Sequence, residues 1–179
     1  AALMMASLQA SLRGQTMSMT GTLDRVIANV NRLVFEASPE NRYATFFYAQ
    51  YDPRTRRLTY VNAGHCPPML LREAGGVREI VRLKAGGTVV GLFSQASYKE
   101  ETVQLRPGDR LLAYSDGISE AFNGADEEFG DERLAEAAHS CAALDASPTI
   151  ARLMEMTDAF VAGAPQSDDM TIVVLRVVG

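Results

Sequence analysis

A chain of 179 residues is long enough for one domain with a sizeable core, held without disulfides or a structural metal. Its 47% hydrophobic and 22% charged residues match a soluble globular protein, and a net charge of −5 argues against a nucleic-acid or anionic-membrane surface. No apolar stretch approaches the ~20 residues of a membrane span. The opening "AALMMASLQASLRGQ" lacks the basic and long apolar regions of a signal peptide. Cys66 and Cys141 have no metal or redox spacing and read as packed thiols in a reducing, cytoplasmic compartment.

In chain order, Leu3, Met4, Leu8 and Leu12 have helical spacing over 2–13, with Gly14 as the stop. Met4, Met5, Met17 and Met19 read as packing residues rather than a ligand set. A second helix follows over 23–37, with Thr22 as its N-cap and one apolar face of Leu23, Val26, Ile27, Val30, Leu33 and Val34. From Tyr43 the period shifts towards two. "YATFFYAQYD" and "RLTYVNAG" form a hairpin across "DPRTR", and "PMLLRE", "GVREIVRL", "SYKEETVQL" and "RLLAYSD" continue as strands between glycine and proline turns. The glycines of "EAGGVRE" and "KAGGT" read as hairpin residues. Helices return over 131–144, with Asp131 as N-cap, and over 147–162, with Ser147 as N-cap and Pro148 at the first helical position. His139 reads as a surface or boundary residue of the first of these. "MTIVVLRVV" closes the chain as a nearly continuous apolar run, which predicts a central strand buried on both faces. Short strands without intervening helices mean antiparallel sheet, and the helix pairs need its two faces. The expected fold class is α+β: a β-sandwich with helices on both outer sides, in a single domain over 1–179.

Chemistry could gather at one sheet edge. Asp116 ends the strand "RLLAYS", and Asp168 and Asp169 precede the last strand. If those strands are antiparallel neighbours, their acids converge, and clustered carboxylates suit Mg²⁺ or Mn²⁺. Each motif alone also reads as an ordinary turn. His65, in "NAGHCPP", either binds an anionic substrate or holds its turn. The sequence contains no phosphate-binding glycine loop and no nucleophile elbow.

In order, "YATFFYAQYDPRTRRLTYVNAGHCPPMLL", "GLF", "LRPGDRLLAYSDGISEAFN", "FGDERL" and "SDDMTIVVLRV" resemble the bacterial SpoIIE-type, RsbU-like phosphatases, a branch of the metal-dependent type 2C (PPM) serine/threonine phosphatases. The resemblance covers essentially the whole chain. It implies a β-sandwich flanked by helices, and a pair of Mn²⁺ or Mg²⁺ ions whose shared water attacks phosphorus directly, without a covalent enzyme intermediate. It marks Asp116 and Asp168 as metal ligands and Asp169 as a residue behind them. Gly117 permits the tight turn after Asp116, and Asn62, Gly64 and His65 are structural or site-adjacent. Ser115 stands where many relatives carry Thr. The implied substrate is a phosphoserine or phosphothreonine on a regulatory protein, such as a STAS-type anti-sigma-factor antagonist.

The family pattern places two further strands, with acidic motifs, before the first helix. No residue here matches them. The expectation is a domain with two of its carboxylate ligands, weak Mn²⁺ binding and little activity, exposed sheet edges and a tendency to self-associate. The alternative is a pseudophosphatase or partner-binding module of the same fold.

Overall fold

The polar loop at 52–56 turns the aromatic run of β1 (Phe46–Asp52) back onto β2 (Arg57–Ala63), and the two pair antiparallel from Phe46↔Ala63 to Asp52↔Arg57. This pairing is seen in a computed structural model that describes residues 2–17, 21–37 and 42–178. The chain divides into two compact units interleaved in sequence: residues 1–65 with 84–105, and residues 66–83 with 106–179.

In the first unit, helices α1 (Ala2–Met17) and α2 (Leu23–Ala37) cover the β1–β2 sheet. The helical stripe of α2 packs with Leu8 against Val61, Ala63 and Val90. The first amide of α2, at Leu23, donates to the Glu100 carboxylate at 2.6 Å, which places a negative charge at the positive end of the helix. Helix α1 runs past Gly14, which does not take the positive φ of a helix stop, so the glycine does not end the helix. Of the early methionines, Met4 packs on this core while Met5 and Met17 are exposed, contrary to the packing expectation; Met19 lies outside the described residues. The far side of β2 pairs with β5 (Gly86–Gly87) in parallel and with β6 (Glu101–Gln104) antiparallel. The "KAGGT" glycines are therefore not a hairpin. Gly86 lies against the backbone of Asn62, and a Cβ there would sit 1.7 Å from the Asn62 carbonyl oxygen. Residues 97–100 of the expected longer strand stay outside β6.

In the second unit, β3 (Met69–Ala74) and β4 (Val77–Arg82) form a hairpin, and β7 (Arg110–Tyr114) and β8 (Ile172–Arg176) complete the order β4-β3-β7-β8. Helices α4 (Gly130–Ser140) and α5 (Ala146–Val161) pack on this sheet, burying Met69, Leu71, Leu112 and Tyr114 against Leu134, Ala138 and Leu153. Three expectations are corrected here. Helix α4 starts at Gly130, with Phe129 in the cap position, because the Asp131 carboxylate is bound by Tyr114 and Arg82 instead of capping amides. Helix α5 starts at Ala146 after Asp145, so Ser147 is already helical. The last strand is not central: among the described residues β8 pairs only with β7, and Val173 is 58% exposed. Within its continuous apolar run, Ile172 and Val174 pack on the helix-covered core and Val177 is buried, while Val173 is left exposed.

His139 is likewise buried, at 5% exposure, and neither ring nitrogen has a partner among the described residues. The helical pattern of α4 turns it inward, next to Ala138. Both cysteines are free thiols, Cys141 buried and Cys66 partly buried. Among the described residues, no helix is long and apolar enough to cross a membrane.

Candidate metal centre

Strands β7 and β8 are antiparallel neighbours, in register from Arg110↔Arg176 to Tyr114↔Ile172. The end of one therefore lies beside the start of the other, and Asp116 meets the 168–169 segment at one edge of the sheet. Past the ladder, the Ser115 N–H donates to the Thr171 carbonyl at 3.0 Å. The Ser115 hydroxyl accepts the Thr171 N–H at 2.9 Å and donates to the Asp169 carbonyl at 2.9 Å.

Asp116 opens a single helical turn, α3 (Asp116–Ser119), and its Oδ1 accepts the Gly117 N–H at 3.0 Å. Asp168 Oδ1 accepts the Asp169 N–H at 2.7 Å, and the Asp168 carbonyl is held by the Gln166 amide at 2.7 Å. Asp116, Asp168 and Asp169 are all exposed, and none forms an ion pair among the described residues. Three acids left without a counter-charge at one edge form a local negative field.

Gly117 is buried, but not for the reason expected. Its φ is not positive, so no left-handed turn requires it. A Cβ at Gly117 would lie 2.5 Å from the Asp169 carbonyl oxygen and 3.1 Å from that of Asp168. The glycine allows two backbone segments to touch.

Beneath the edge, the fully buried Tyr114 donates its hydroxyl to Asp131 Oδ1 at 2.7 Å, and Arg82 donates to the Tyr114 oxygen at 3.0 Å and to Asp131 Oδ2 at 2.7 Å. Burial first, then the hydrogen bond to Asp131, raises the Tyr114 hydroxyl well above the usual phenol range. Beside α3 lies a cavity of about 270 Å³ lined by Cys66, Tyr114, Ser119, Glu120, Glu128 and Asp131. Burial, and then the carboxylates of Asp116, Asp131 and Glu120, push the Cys66 thiol up, so it is a poor nucleophile at neutral pH.

Asn62 and His65 belong to the other unit. The Asn62 side chain, itself buried, accepts the His65 N–H at 2.8 Å and donates to the His65 carbonyl at 3.0 Å. The turn is thus closed by Asn62, while the His65 ring reaches the Thr45 hydroxyl at 3.4 Å. The structure brings together Asp116, Gly117, Asp168 and Asp169. The sequence reading missed Ser115, Tyr114 and Arg82 as supports, because what they do depends on partners far away in the chain.

The donors present are oxygen only, which fits a hard divalent cation in kind. In number they form part of a set: among the described residues, no group of three or more His, Cys, Asp or Glu side chains is arranged to hold an ion.

The family model for stage II sporulation protein E (SpoIIE) matches residues 1–178. The phosphoserine phosphatase RsbU of Bacillus subtilis is 29% identical over 156 residues, 85% of this chain and 44% of RsbU. The chain spans 14% to 44% of the length of the curated relatives it matches. Among solved structures, the SiaA-PP2C domain of Pseudomonas aeruginosa superposes with a TM-score of 0.79 at 19% identity, covering 98% of this chain and 68% of that one. The SpoIIE phosphatase domain of Bacillus subtilis, presoaked with Mn, gives 0.58 at 20% identity, over 98% of this chain and 73% of that one. The fold is that of a PP2C-type phosphatase domain.

Proposed function

Because the chain belongs to the SpoIIE family, we propose that residues 1–179 are a single metal-dependent serine/threonine phosphatase domain that hydrolyses a phosphoserine or phosphothreonine on a regulatory protein. The observation that carries this is the convergence of the Asp116 and Asp168 segments across the β7–β8 pair, with both carboxylates exposed and, among the described residues, outside every ion pair. Asp116 and Asp168 would hold Mn²⁺ or Mg²⁺, two ions in a complete centre, with water and phosphoryl oxygens among the other ligands. When bound, the cations supply a water nucleophile near neutral pH and offset charge developing on the phosphoryl oxygens. The chain's own part is to hold the two carboxylates at one place. Gly117 lets their backbones touch, Asp169 offers a carbonyl to Ser115, and the Tyr114–Asp131–Arg82 network anchors the strand end beneath. Asn62 and His65 support their own turn in the first unit.

By analogy with RsbU, named a phosphoserine phosphatase, the substrate we favour is a STAS-type anti-sigma-factor antagonist in the cytoplasm. The small donor set among the described residues supports a second reading, a pseudophosphatase that binds such a partner without cleaving it. One assay separates the two. In the full-length protein with Mn²⁺, release of phosphate from a phosphoserine protein should fall roughly 100-fold or more in Asp116→Asn and in Asp168→Asn. Turnover equal in wild type and both variants would end the enzyme reading as built on these residues. Partner binding with no turnover in wild type would establish the alternative.

A further inference from the structure

One hydroxyl makes two of the hydrogen bonds between the segments that carry the converging carboxylates. The regular β7–β8 ladder ends at Tyr114↔Ile172. Beyond it, backbone pairing alone reaches no further than the Ser115 N–H on the Thr171 carbonyl. The Ser115 hydroxyl extends the connection towards Asp168: it takes the Thr171 N–H and, in the same position, donates to the Asp169 carbonyl, each at 2.9 Å. Ser115 also occupies the cap position of α3, where a serine hydroxyl ordinarily turns to a helix amide. No such cap bond forms here. The hydroxyl is committed to the facing loop.

We propose that Ser115 is a positioning residue, whose hydroxyl holds the Asp168–Asp169 segment against Asp116 and thereby sets the affinity for a divalent cation. The proposal rests on the cation reading above. An exposed acidic loop must be ordered before it can bind an ion, and fixing it beforehand removes that cost from the binding step. A threonine offers the same oxygen on the same Cβ and keeps both bonds; an alanine loses both.

The test uses the full-length protein and Mn²⁺ alone, with free Mn²⁺ counted by electron paramagnetic resonance and no turnover required. Ser115→Ala should weaken Mn²⁺ binding roughly tenfold, while Ser115→Thr stays within about twofold of wild type by the same reasoning. In metal-free protein, the Thr171 amide should exchange faster with solvent in Ser115→Ala and be protected again in Ser115→Thr. A purely structural serine would lower the melting temperature and leave Mn²⁺ affinity of the folded protein unchanged; that result overturns the proposal and leaves the cation reading standing. A wild-type protein that takes up no Mn²⁺ overturns both.

Discussion

Gly117 sits where two backbones meet, and the contact decides what a side chain there would do. An alanine is the better helix former by about 1 kcal/mol, so in an isolated α3 the substitution would stabilise. Here its Cβ would lie 2.5 Å from a backbone oxygen, at Asp169, which cannot swing aside as a flexible side chain could. Overpacking of this kind costs about 1–3 kcal/mol and displaces the segment that carries Asp168. Gly117→Ala should therefore lower the melting temperature by a few degrees, at roughly 2–4 °C per kcal/mol for a chain of this size. Phosphate release should fall as well. Thermal melts and a phosphatase assay check both, and a variant as stable and active as wild type would mean that the loop accommodates the methyl freely.

At the scale of elements, the site edge hangs on the end of β7. Tyr114 ties that end to α4 through Asp131 and to β4 through Arg82. The tyrosine is buried, so its hydroxyl is not readily replaced by water. Tyr114→Phe should destabilise by about 1–2 kcal/mol, leaving the partly exposed Arg82–Asp131 pair in place. Urea denaturation measures it; a midpoint unchanged from wild type would show that the hydroxyl bonds contribute nothing net. The convergence of Asp116 with Asp168 was legible in the sequence, because two strongly apolar strands with acids at opposite ends need only pair antiparallel to bring them together. The supports were not. Ser115 and Thr171 stand 56 residues apart, and which atoms meet depends on register. Asp131 has the residue type and position of an N-cap, and only the arrival of Arg82, 49 residues away, gives it another task. The continuous apolar run of β8 states that both faces are hydrophobic, but not that Val173 stays exposed.

For the whole molecule, acid sensitivity is built into the second unit at His139. The ring is buried on α4, both nitrogens are unpartnered among the described residues, and the charged groups around it are Arg78 on β4, Arg110 on β7 and Glu73 on β3. Burial, then the two arginines, lower its pKa from the ordinary 6.5, with Glu73 opposing. Below pH 6.5 the unfolded chain takes up a proton at this residue that the folded chain still refuses. In that window the unfolded state holds more protons, so stability falls as pH falls, until the folded ring also titrates. The loss can be no steeper than one proton allows, about 1.4 kcal/mol per pH unit. Above the window His139 adds no pH dependence, yet its unpaired nitrogens still cost the fold about 1–3 kcal/mol. His139→Leu should therefore hold or raise stability at pH 8 and flatten the decline between pH 6.5 and 5. Unfolding free energies of wild type and variant, measured across that range, should converge as pH rises through 6.5 apart from a constant offset. Curves that stay parallel down to pH 5 would place the acid response elsewhere, on the carboxylates, which both proteins share.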